Sequence, residues 1–192
     1  MRPYLFNSKG VIMKKYNLVI VIIFYLFTTI LQAQKYPKGI FNIVWRDSQE
    51  KVNKIMHTKK NVEFYNYQEK DQLVFNNVEV SGRKCFLKYI FYKNQLCEIE
   101  MLFTINRDEF AGAYSEALRT LLVKYDPPTE NVFDKSKGIA QAIWRITAND
   151  NKKYCIVLSA NYENGGFNIF YTYMDLYNLK ANDREKFNSK DF

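Results

Sequence analysis

The strongest constraint on this 192-residue chain is the run from Arg83 to Thr104, which reads as a β-hairpin feeding straight into a helix. Cys97, Ile99, Met101 and Phe103 alternate with other positions, the period of a strand with one buried face. Residues 85–91, Cys-Phe-Leu-Lys-Tyr-Ile-Phe, form the preceding strand. Charge decides the register. A two-residue turn at Lys93-Asn94 sets Tyr89 opposite Glu98 and turns the carboxylates onto the apolar face. A three-residue loop, Lys93-Asn94-Gln95, instead pairs Phe91 with Cys97, Tyr89 with Ile99, Leu87 with Met101 and Cys85 with Phe103. It also brings Lys88 opposite Glu100. A slip of one residue exchanges the two faces of a strand, so the sequence favours the longer loop.

Asn106 and Glu109 then stand at the spacing of a capping box. Phe110, Ala113, Tyr114, Ala117, Leu118, Leu121, Leu122 and Tyr125 recur at helical spacing. The pattern predicts a helix from Arg107 to Tyr125, stopped by Pro127-Pro128, with Leu118 buried and Arg119 on the far side.

Residues 1–33 have the form of a signal peptide whose natural start is Met13. Met13-Lys14-Lys15 supplies a positive beginning, Leu18 to Leu31 a run of 14 residues, and Ala33-Gln34 a cleavage site. That apolar run is short for a membrane span; an uncleaved anchor to the inner membrane is the alternative. The segment carries Arg2, Lys9, Lys14 and Lys15 and no acid, so half of the formal charge of +8 leaves with it. The mild excess that remains does not support nucleic-acid binding, which needs clustered cations on one face.

Residues 34–180 then form a single domain, with 40–105 and 106–180 as two halves, and 181–192 a charged tail. Asp47 and Glu50 mark a first helix with Val52, Ile55 and Met56 as its stripe. Val62 to Tyr67, Leu73 to Val80, the segment Ala140–Ile146, Tyr154 to Ala160 and Phe167 to Met174 are strand-like, the last two joined by an Asn164-Gly165 turn. The expected class is α+β: an antiparallel sheet of about six to eight strands with two main helices, in an order open to a tandem repeat of one helix and three or four strands.

Chemistry is sparse. His57 is the single histidine, at a helix end where an imidazolium suits the dipole, and no triad, zinc motif or phosphate loop accompanies it. Cys85 and Cys97 fall at opposite ends of the hairpin, too far apart to bond. Cys155 could meet either one, although burial in apolar runs favours three free thiols. Glu98 and Glu100 share a strand face, and the opposing Lys88 points to an ion pair instead of acid–base work. That face also carries Phe86, Ile90 and Leu102, and the expectation is that the second half of the chain covers it.

Trp45-Arg46-Asp47-Ser48-Gln49-Glu50-Lys51-Val52, and Leu122-Val123-Lys124-Tyr125-Asp126-Pro127 at the end of the long helix, resemble phrases of small exported αβ domains. In these, a helix opens after Trp-Gly or Gly-Met and a later one closes on Tyr-Gly-x-Pro. The set includes the BamE-like outer-membrane assembly lipoproteins and the tandem β-lactamase-inhibitor-protein fold. Arg46 and Asp126 stand where glycine is usual, and the lipoprotein cysteine is absent.

The functional expectation is an exported, non-enzymatic module of the periplasm or cell envelope that binds another envelope or secreted protein. No cofactor, metal or nucleic acid is expected, nor stable membrane insertion after signal cleavage. The alternative is a carrier of a small apolar ligand held between sheet and helix. Phe167, Ile169, Tyr171 and Tyr173 share one face of their strand, and Phe170, Thr172 and Met174 the other. Both faces are apolar, so one exceeds what a covering helix needs. Tyr171 and Tyr173 are the expected binding anchors, because a tyrosine suits a half-wet surface.

Overall fold

Two short strands, β1 (Gly39–Ile40) and β2 (Ile43–Val44), pair with each other and lead into helix α1 (Gln49–His57). Four strands follow: β3 (Glu63–Tyr65), β4 (Gln72–Val80), β5 (Arg83–Tyr92) and β6 (Gln95–Thr104). Helix α2 (Arg107–Tyr125) opens the second half, and β7 (Glu130–Asp134), β8 (Ile139–Thr147), β9 (Lys153–Asn161) and β10 (Gly166–Tyr173) complete it. A last helix, α3, spans Met174–Asn188. This computed structural model describes residues 36–65, 69–134, 138–161 and 165–188. The predicted signal segment 1–33, Asn164 of the predicted turn and residues 189–192 of the predicted tail lie outside the described residues.

The eight longer strands form one antiparallel sheet in the order β3-β4-β5-β6-β10-β9-β8-β7. Each half contributes a helix and four strands, and the halves meet where β6 pairs with β10. This is the expected α+β class. Helix α2 has the predicted limits. Helix α3, which was not expected, begins at the Met174 predicted to end a strand and takes in part of the predicted tail.

The hairpin turn differs from expectation. Lys93 and Asn94, both at positive φ (48° and 60°), form a two-residue turn, with Tyr92 opposite Gln95 and Phe91 opposite Leu96. Positive φ at both centres is what matches the twist of the flanking strands. The ladder then shifts by one residue at Cys97 and resumes with Ile90 opposite Glu98, Tyr89 opposite Ile99 and Lys88 opposite Glu100. The predicted loop Lys93–Gln95 and the Phe91–Cys97 pair are therefore replaced by a tight turn plus a bulge, and the expected pairing holds from Tyr89 onward. Leu96 and Ile99 both reach the main core, whereas Cys97 turns to the opposite face.

One face of the sheet holds that core. Val52 and Met56 of α1 pack on it, with the Tyr89 hydroxyl donating to Met56 Sδ at 3.5 Å. The N-cap of α1 is Ser48, one residue past the expected Asp47; Asp47 accepts from Val44 N at 2.9 Å and pairs with Lys51 at 2.7 Å. From α2, Phe110, Ala113, Leu121 and Tyr125 are buried against Phe103, Phe167 and Trp144. Ala117 and Leu118 are half-buried and Leu122 is exposed, a narrower stripe than predicted. Helix α3 lies elsewhere: Leu176 joins Ile90 and Cys97 in a second cluster, and Lys180 Nζ donates to the Phe91 carbonyl at 3.4 Å. Asp183 ties α3 to the hairpin through Tyr92 and through Lys93 at 3.2 Å. Among the described residues, no helix is long and apolar enough to cross a membrane.

Because Leu121 is buried and Arg119 exposed, their truncations should differ. In chemical denaturation, Leu121→Ala should cost about 2–5 kcal/mol. Arg119→Ala should stay within about 0.5 kcal/mol of the wild type. Equal losses would mean that this side of α2 does not face the core.

Candidate functional site

Among the described residues, the face of the sheet opposite α1 and α2 is covered only at the end where α3 meets Ile90 and Cys97. The strands of the second half do not lie over it, contrary to expectation; they extend the same sheet sideways, and only α3 reaches this face. Strand alternation therefore leaves a row of side chains without a second layer. Phe86 stands opposite Leu102, Leu102 beside Asn168, Phe170 between Glu100 and Val157, and Ile143 beyond Val157. Leu102 is 38% exposed, and the others are half-buried by their neighbours. A hollow of about 270 Å³ opens here, bounded by Val74, Phe86, Lys88, Glu100 and Leu102.

A polar line crosses this apolar ground. Lys88 pairs with Glu100 at 2.7 Å, as the sequence predicts. Asn168 Nδ2 donates to the same carboxylate at 3.2 Å, so Glu100 is held from both neighbouring strands. Two residues back, Glu98 faces Ile90 on one side and Thr172 on the other. Its hydrogen bond comes from the Thr172 hydroxyl at 3.3 Å. Burial, reinforced by the Glu100 charge, holds the Glu98 carboxyl above its ordinary value.

The two predicted anchors are not on this face. Tyr171 and Tyr173 share a side with Phe167 and Ile169 as predicted, but it is the covered one. Tyr173 is buried beneath the Tyr36–Trp45 segment, its ring 6.3 Å from Trp45 and 5.4 Å from Tyr154. Arg46 Nη2 donates to its hydroxyl at 3.0 Å, with the guanidinium 5.3 Å from the ring centre. Tyr171 is half-buried against the core, and desolvation pushes its phenol up to about 12. The β10 side chains on the open face are Asn168, Phe170 and Thr172. Sequence alternation separated the two sets and could not say which set was covered.

The remaining candidates have settled local roles. His57 is exposed, with Nδ1 2.8 Å from the Asn53 carbonyl oxygen and its ring 5.7 Å from Phe64. All three cysteines are free and buried. Cys155 lies two strands from β6, roughly 10 Å at the usual strand spacing, beyond disulfide reach. Desolvation lifts the thiols, Cys85 to about 12 and Cys97 to about 11, which suppresses the reactive thiolate. Among the described residues, no group of three or more His, Cys, Asp or Glu is placed to hold a metal. Between α2 and the sheet, Met101, Phe103, Ala117, Leu121, Ile169 and Tyr171 border a cavity of about 100 Å³. Small-molecule sites usually measure about 300–1,000 Å³, so a lipid-sized guest would require α2 to lift.

Glu98 supplies a pH test. Its carboxyl is raised above 4.5, so the folded protein holds this proton more tightly than the unfolded chain. The stability so gained is present at low pH and is lost as pH rises through the folded-state value. Glu98→Gln removes that loss. Melting temperatures of variant and wild type should agree near pH 4 and the variant should be the higher at about pH 7. A variant less stable at neutral pH would show the ionised carboxylate to be a net stabiliser.

Comparison with protein-family models, with curated proteins and with solved structures gave no match.

Proposed function

We propose that this chain is an exported, non-enzymatic module of the periplasm or cell envelope that binds another envelope or secreted protein on the open face of its sheet. The observation that carries this is the uncovered apolar row Phe86, Leu102, Phe170, Val157 and Ile143, crossed by the Lys88–Glu100 pair. Contiguous apolar surface interleaved with polar groups is the composition of a protein-binding patch. A nucleic-acid partner does not fit, because the cation on this patch is already paired and carboxylates stand beside it. The chain's two phrases resembling BamE-like and tandem β-lactamase-inhibitor-protein-like domains differ from them at two residues. Arg46 and Asp126, which stand where glycine is usual, hold φ of 69° and 62°.

The carrier alternative has its space beneath α2, and a lipid-like molecule copurifying with the protein would favour it. For the leading proposal, the native protein is used as bait in an envelope extract. Leu102→Asp should abolish capture of the partner that the wild type retains. The variant should remain folded with a modestly lower melting temperature, since Leu102 is 38% exposed and strand preferences span about 1 kcal/mol. Undiminished capture by the variant would place the interface elsewhere.

Export has its own measurement. The intact mass of the protein secreted by its producing cell should begin at Gln34. A mass that retains the segment from Met13 would show an anchored form instead.

A further inference from the structure

We propose that the open face receives an arginine side chain of the partner protein, with Glu98 as its counter-ion and the Phe170 ring as the surface it lies against. This rests on the binding function proposed above and names the chemistry of its centre.

The starting point is an imbalance between two carboxylates on one strand. Glu100 has an ammonium at 2.7 Å and an amide at 3.2 Å. Glu98, half-buried on the same side of β6, has a threonine hydroxyl at 3.3 Å and, among the described residues, no cation within ion-pair distance. Two cations act on it from beyond ion-pair distance: Lys88, which pairs with Glu100, and Lys180 of α3, which donates to the Phe91 carbonyl at 3.4 Å. Removing a carboxylate from water without a matching donor set is costly, so a group in this state calls for a reason. Its setting supplies one. Glu98 sits on β6, one of the two strands at the centre of the sheet, at the border between the end that α3 covers and the open apolar row.

The occupant follows from the geometry around it. A guanidinium forks two parallel donors onto a carboxylate, which one hydroxyl cannot do. It is planar and weakly hydrated, so it lies against an aromatic ring in apolar surroundings at less cost than an ammonium. Phe170 is placed for that contact. It pairs directly with Glu100 and is therefore the diagonal neighbour of Glu98 across the β6–β10 ladder. Thr172, two residues on along the same strand, is 7% exposed and donates to the carboxylate. Phe86, Leu102 and Val157 then offer apolar contact to the residues flanking the arginine. Lysine fits less well: its compact ammonium would surrender more hydration and make no flat contact with the ring.

The test uses natively processed, isotope-labelled protein and three blocked tripeptides, Leu-Arg-Phe, Leu-Lys-Phe and Leu-citrulline-Phe, titrated by amide chemical shift. The arginine peptide should move the Glu98, Phe170 and Thr172 resonances with a dissociation constant of about 1–10 mM. Lysine should bind about tenfold more weakly, and citrulline, which keeps the shape and loses the charge, should not bind measurably. Glu98→Gln should reduce arginine-peptide affinity about tenfold while the protein stays folded. Equal affinities for the three peptides, or no effect of Glu98→Gln, would overturn the arginine site while leaving docking on the apolar face in place. Shifts that map outside the open face, or none at about 20 mM peptide, would overturn the arginine site outright. Failure of the broader binding proposal is read separately, from the Leu102→Asp bait.

Discussion

The β6–β10 ladder is the contact on which the rest of this molecule depends. Seven consecutive residue pairs, from Gly166 opposite Thr104 to Thr172 opposite Glu98, join two four-stranded halves into one sheet. Without it, each half would expose a long edge strand, with a row of unpaired amides and carbonyls inviting other chains. With it, the outermost strands are short: β3 has 3 residues and β7 has 5. The same ladder carries both layers of side-chain chemistry. On the covered face Phe103 and Phe167 stack across it at 4.8 Å. On the open face Thr172 and Asn168 reach across it to Glu98 and Glu100. Core and candidate site are thus two sides of one set of strand pairs.

The two faces receive unequal cover because of where the chain goes after each half. Both α1 and α2 return over the same side, where Met56, Phe110 and Leu121 close the core. Helix α3 leaves β10 at Met174 and is held at one end of the other side by Leu176, Lys180 and Asp183. Tyr177 and Leu179 of α3 remain 41% and 52% exposed, so this helix contributes a corner and not a layer. An eight-stranded sheet with one full layer leaves its other face either polar or available. Phe86, Leu102, Phe170, Val157 and Ile143 make it available.

Much of this was legible in local pattern. The α2 limits followed from stripe and prolines, and the Lys88–Glu100 pair from charge placed opposite charge. What escaped depends on distant contacts or on weak pattern. The polar α3 sequence has no strong apolar stripe, and its anchors, the Phe91 carbonyl, Tyr92 and Lys93, lie far away in sequence. Strand β7 shows Val132 and Phe133 to solvent, so no alternation between buried and exposed residues marks it. For Tyr171 and Tyr173 the shared face was right and its cover was not. The residues that bury Tyr173 include Trp45 and Arg46, more than a hundred positions earlier, and no period within β10 could announce them.

The hairpin shows how one residue decides which chemistry the sheet displays. Sequence alone posed a choice between a tight turn with its carboxylates inside and a longer loop with them outside. The chain takes the tight turn and then spends an extra residue, Cys97, on a bulge. Had the pairing of Tyr92 with Gln95 continued unbroken, Glu98 would face Tyr89 and Glu100 would face Leu87, both fully buried residues of the core. Two carboxylates there would have neither water nor Lys88. The bulge moves both to the open side at once, because strand faces alternate with a period of two. It also fixes their inequality, since the shifted ladder sets Lys88 opposite Glu100 and leaves Ile90 opposite Glu98. The carboxylate at the α3 end of the open face, which among the described residues has no ion-pair partner, is therefore a direct product of Cys97, whose own thiol is buried and donates to the Ile90 carbonyl at 3.4 Å.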